Sequence, residues 1–130
     1  MNLANTANAY KTQQIMTASP EELTLMLYNG AIRFVNESMR ALEQGDKAKS
    51  HSANLRAQDI VREFMSTLDM KLEISKTWMA LYDYIEYCLI QGNIKKDSQQ
   101  LAEAKNMLTE MRDTWVEAMK LARTNRAVAR

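Results

Sequence analysis

Residues 19–45 read SPEELTLMLYNGAIRFVNESMRALEQG, and this stretch decides the fold. Ser19 stands before Pro20, with Glu22 three residues after the serine, so an N-cap, a proline at the first helical position and a Ser-x-x-Glu capping box coincide. A helix starts there. Leu25, Tyr28, Ile32, Val35, Met39 and Leu42 then recur in steps of three and four until Gly45 supplies a residue suited to a left-handed helix end. Asn29-Gly30 in isolation is a hairpin-turn signal, but the register runs unbroken through Leu23, Leu27 and Phe34, which puts Gly30 inside the helix. Glycine there costs about 1 kcal/mol against alanine, which predicts the close approach of another backbone, from a neighbouring helix or a bound partner.

Three more helices follow by the same signals. Asp46 caps a second, whose stripe is Ala53, Ala57, Ile60, Phe64 and Leu68. A third carries Ile74, Trp78, Leu81, Ile85 and Leu89, with Gly92 at its expected end. Asp97 or Ser98 opens a fourth, with Leu101, Ala104, Leu108, Met111, Trp115, Ala118 and Ala122 in register. Short links force neighbouring helices to run antiparallel, so the expected fold is all-α, an antiparallel up-down four-helix bundle over residues 19–123. Residues 1–18 have little periodicity and read as a flexible N-terminal arm; residues 124–130 read as a C-terminal tail.

Composition agrees with one helical domain. Of 130 residues, 46% are hydrophobic and 25% charged, and only three glycines and one proline break the chain. A net charge of +1 leaves no field to draw in nucleic acid or an anionic membrane, and the cluster Arg123, Arg126 and Arg130 reads as a solvated tail. The lone Cys88 cannot form an internal disulfide. No apolar run approaches the ~20 residues of a membrane span, and residues 1–10 lack the pattern of a secretory signal, so the expected location is cytoplasmic.

Chemistry needs clusters of ligating or titrating groups, and few are present. His51, the only histidine, falls off the apolar stripe of its helix and has no partner in the pattern. A di-iron bundle requires Glu-x-x-His on two helices, yet position 48 is Ala48. Cys88 sits near the core side and reads as a small buried hydrophobe. The expectation is a binding protein with no catalytic residues, metal or cofactor.

The positive signal lies on the first helix, where Leu23, Leu27, Gly30, Phe34 and Ala41 form a second apolar stripe beside the first. Together they cover roughly 220° of the wheel, where ~100° suffices for one core face. Either the helix touches both neighbours or it offers a docking groove. On the third helix Met79, Tyr87 and Ile90 fall on the side of Asp83 and Glu86, away from the core stripe. Ten methionines suit an adaptable binding surface as well as a core. A homodimer made through the surplus apolar surface is the competing reading.

The run Thr17-Ala18-Ser19-Pro20-Glu21-Glu22-Leu23, followed by Leu27-Tyr28-Asn29-Gly30-Ala31, resembles the opening of the flagellar secretion chaperone family, FliS. So do Leu81-Tyr82-Asp83-Tyr84, then Gly92-Asn93 before a basic stretch and Asp97, and finally Arg112 and Trp115. The likeness runs from Tyr10 to about Leu121. It implies a cytoplasmic export chaperone that binds the otherwise disordered C-terminal segment of flagellin, prevents premature polymerisation and aids delivery to the type III export gate. Tyr10 matches a family tyrosine associated with groove capping and gate contact, with Ile15 close behind. The partner-binding set is then Tyr10, Ile15, Leu23, Leu27, Gly30, Phe34, Met79, Tyr87 and Ile90. The chain departs from the family pattern at Gly92, where alanine is frequent, at Ala7, where a larger apolar residue is frequent, and from Asp69 to Ala80, where a Gly-Gly pair is common but this chain has Leu72 and Glu73 in a shorter stretch.

Overall fold

A computed structural model describes the backbone of residues 3–129 and the side chains of residues 6, 8–9 and 11–126. It contains five helices: α1 (Leu3–Thr17), α2 (Pro20–Glu43), α3 (Lys47–Thr67), α4 (Glu73–Lys95) and α5 (Ser98–Ala129), with no strand among the described residues. The fold is all-α. The N-cap side chains Ser19, Asp46 and Asp97 act as the sequence predicts. Ser19 Oγ accepts from the Glu22 N–H at 3.2 Å, Asp46 Oδ1 from Lys49 at 3.1 Å, and Asp97 Oδ1 from Gln99 at 2.9 Å. Gly45, at φ +77°, takes the left-handed position after α2, and Asn29-Gly30 lies within that helix.

Helices α2 and α4 each pack against both α3 and α5, closing a ring around one core. Val35, Val61, Ile85, Leu89, Leu101 and Leu108 are fully buried in it. Residues late in α2 meet residues early in α3 (Ser38 with Ser50), and residues early in α2 meet residues late in α3 (Tyr28 with Phe64). Across α3 and α4, Asn54 Nδ2 donates to the Leu89 carbonyl at 3.1 Å and receives a 2.7 Å bond from Gln58 on its own Oδ1. Across α2 and α5, Arg112 donates to Asn29 and the Trp115 indole donates to the Glu21 carbonyl at 3.1 Å.

Four expectations need correction. The segment read as a flexible arm for its lack of periodicity is helical from Leu3 to Thr17. It holds Leu, Ala, Gln, Lys and Met without glycine or proline, so helix propensity is satisfied although no stripe faces a core. Among the described residues α1 makes no extensive packing with α2–α5, and its described side chains are exposed. Gly92 does not end α4: the helix runs on to Lys95 and ends at Lys96, in the left-handed region at φ 51°. A β-carbon on Gly92 would lie 2.6 Å from Leu101 Cδ2, so this glycine is required by the crossing of α4 and α5. Gly30 meets no second backbone; a β-carbon there would lie an ordinary 3.5 Å from Ile60 Cδ1. Finally, Ile74, Ala118 and Ala122 keep the periodicity yet are exposed.

Candidate functional site

The outer seam between α2 and α3 is built by the second stripe of α2. Leu23, Leu27, Gly30 and Phe34 are all half-buried, with Leu27 and Phe34 packed against the core together with Ile60 of α3. Leu27 and Phe34 thus reach the core with one edge and leave the other open. The guanidinium carbons of Arg33 and Arg56 lie 5.1 and 5.6 Å from the Phe34 ring centroid, one cation from each helix.

Met79 and Ile90 are half-buried on α4, on the side of Glu86, whose carboxylate accepts a 2.9 Å ion pair from Arg62 of α3. They therefore belong to a second seam, between α3 and α4. Tyr87, also on α4, is 57% exposed. Ile15 is exposed on α1; the backbone of Tyr10 is helical, and its side chain lies outside the described residues. The nine predicted residues are thus divided among α1, two seams and one exposed position on α4. Leu55, exposed on α3, was missed, as were Arg33 and Arg56. A leucine off the core stripe of its helix was the available signal for the first; nothing in the spacing couples two arginines on different helices to one phenylalanine.

At the end of the body where α2 begins, Phe64 stacks on Tyr28 with centroids 4.5 Å apart and on Tyr82 at 5.5 Å, and Trp78 tilts against Tyr82 at 6.3 Å. The Tyr28 and Tyr82 hydroxyls bond each other at 2.8 Å. Burial raises both phenols above the ordinary tyrosine range, so the pair is neutral. A cavity of about 350 Å³ opens beside them, lined also by Thr24, Ile74, Ser75 and Trp115. Exposed Met70 and Leu72 lie in the adjoining link.

Reactive groups are held in inert settings. Cys88 is buried as expected, and burial pushes its thiol pKa up. His51 is exposed but not unpartnered: its Nδ1 lies 2.8 Å from Asn93 Nδ2, and Asn93 Oδ1 accepts from Lys96. Among the described residues no group of three or more His, Cys, Asp or Glu is placed to hold a metal, and no helix is long and apolar enough to cross a membrane.

The sequence model of the family described as "Flagellar protein FliS" matches residues 3–122. The chain belongs to the FliS family. It is 38% identical to the flagellar secretion chaperone FliS of Bacillus subtilis, over 97% of this chain and 95% of the relative. It is 32% identical to the protein of that name from Salmonella typhimurium, over 78% and 77%, and 30% to that from Vibrio cholerae, over 78% and 76%. The match to the FliS family covers α1, α2, α3 and α4 whole and most of α5.

Proposed function

We propose that this chain is a cytoplasmic flagellar export chaperone that binds the disordered C-terminal segment of flagellin. By holding that segment it prevents premature polymerisation and aids delivery to the type III export gate. The observation that carries the reading is the apolar seam of Leu23, Leu27 and Phe34, left half-open in a member of a flagellar chaperone family. A segment that folds on binding gains most from long apolar grooves on a rigid helical body. In this reading residues 19–123 work as an antiparallel up-down four-helix bundle, and the seam residues Leu23, Leu27, Gly30, Phe34, Met79 and Ile90, with Tyr87 at the rim, contact the client. Helix α1 stands apart from that body; its Tyr10 caps the groove and contacts the gate, with Ile15 close behind. The tail from residue 124 takes no part.

Mixing the purified chain with flagellin, and separately with flagellin lacking its C-terminal segment, tests this by light scattering after size exclusion. A one-to-one complex with the intact protein and none with the truncated one is expected. Equal binding of both, or a chain that only forms its own dimer, overturns it.

A further inference from the structure

The arginine pair over Phe34 is electrostatically incomplete. Two cations, one from α2 and one from α3, converge within 6 Å of a single ring centroid. Neither has a carboxylate within ion-pair distance among the described residues, although Glu37 stands one turn beyond Arg33, and Asp59 and Glu63 follow Arg56 on α3. The four ion pairs that do form all use other cations. A guanidinium stacked on an aromatic face keeps its N–H edge free, and that planar fork fits a carboxylate with two parallel bonds. Phe34 therefore holds two donor forks at the lip of an apolar seam, already desolvated on one side. The lone cations repel each other there, and an anion between or beside them relieves that repulsion.

We propose that Arg33 and Arg56 select for acidic amphipathic helices: the partner's apolar face lies on Leu27, Phe34 and Ile60 while carboxylates flanking that face take the two forks. Resting on the reading of the α2–α3 seam as the client's seat, the proposal adds that the seat recognises charge as well as apolar surface. Arg62 and Arg112 do not share the role, since they are engaged with Glu86 and Asp113.

The test uses the full chain and two synthetic peptides of about five helical turns with one identical leucine face, flanked by glutamates in one and glutamines in the other. Calorimetry at low salt is expected to give roughly fivefold tighter binding of the glutamate peptide, the size two partly exposed ion pairs supply. The preference should shrink at high salt as screening sets in. Arg33→Gln with Arg56→Gln should abolish the preference while leaving helical content unchanged. Arg33→Lys with Arg56→Lys, which keeps charge but loses the fork, should retain only part of it. Equal binding of the two peptides, no binding of either, or a preference that survives the double glutamine change overturns the proposal. Truncated flagellin decides the proposed function separately, so a chain that fails one experiment and passes the other identifies which inference is wrong.

Discussion

Where α2 ends and α3 begins, the helices meet through small side chains: Ser38 and Ser50 share a 2.9 Å hydroxyl contact, and Ala41 and Ala53 are buried nearby. On the same end α4 meets α5 through Gly92, with no room for one more carbon. At the opposite end the space is filled by Tyr28, Phe64, Tyr82, Trp78 and Trp115, and a cavity of about 350 Å³ remains beside them. Small residues bring helices close and fix their register by hydrogen bonds; large flat rings hold them apart and pack with gaps. One end of the body is therefore closed and specified, and the other is open and adaptable. The open end is also where α1 joins and where Met70, Leu72 and Ile74 stand exposed.

The strongest break is at the aromatic end. Phe64 is stacked on two rings and almost fully buried, so Phe64→Ala should cost about 3–5 kcal/mol in urea unfolding, with the existing cavity enlarged rather than collapsed. A loss below about 1 kcal/mol would mean that this end repacks freely. At the closed end the corresponding change is polar. Ser38 Oγ donates to the Ser50 carbonyl and also meets the Ser50 hydroxyl, with both residues buried. Ser38→Ala leaves Ser50 without that partner and should cost about 1–3 kcal/mol, while Ser38→Ala with Ser50→Ala should recover part of the loss. A double variant worse than the sum of the singles would show that packing, not hydrogen bonding, sets this end.

The contrast also explains how far the sequence can be read. The starts of α2, α3 and α5 were legible because caps are local: Ser19, Asp46 and Asp97 bond to their own chain three or fewer residues away, whereas α4 starts after Leu72 with no side-chain cap. The stripes of α2, α3 and α5 were legible because a core imposes a 3.6-residue period. Gly92 was misread because a glycine near a helix end has two uses, and only the position of Leu101 on another helix distinguishes them. Helix α1 was missed because it buries no stripe, so its periodicity says nothing. The seam residues Leu23, Leu27 and Phe34 were legible as surplus apolar surface, whereas Arg33 and Arg56 converge only through tertiary packing.

The smallest effect at neutral pH, and the sharpest test of the open end, concerns the hydroxyl pair. Tyr28 and Tyr82 have phenol pKa values raised above the ordinary 10 chiefly by burial, which keeps both neutral in the folded chain, while their mutual bond lowers that of Tyr28 and raises that of Tyr82 further. In the unfolded chain each ionises near pH 10. Below that pH both states hold the protons and the pair's full contribution is present. Above it the unfolded state releases them while the folded state does not, so the unfolded state binds fewer protons and stability falls as pH rises, until the raised folded values are reached. Each such group contributes up to about 1.4 kcal/mol per pH unit in that window. Tyr28→Phe with Tyr82→Phe removes both hydroxyls together, leaves no orphaned donor and should shift stability at pH 7 by less than about 1 kcal/mol. Above pH 10 the double variant should lose stability less steeply than the parent; Cys88, whose thiol pKa burial also raises, contributes to the alkaline slope of both. Unfolding curves from pH 8 to pH 11 measure this, and identical slopes would mean that solvent entering the cavity lets the pair ionise in the folded state.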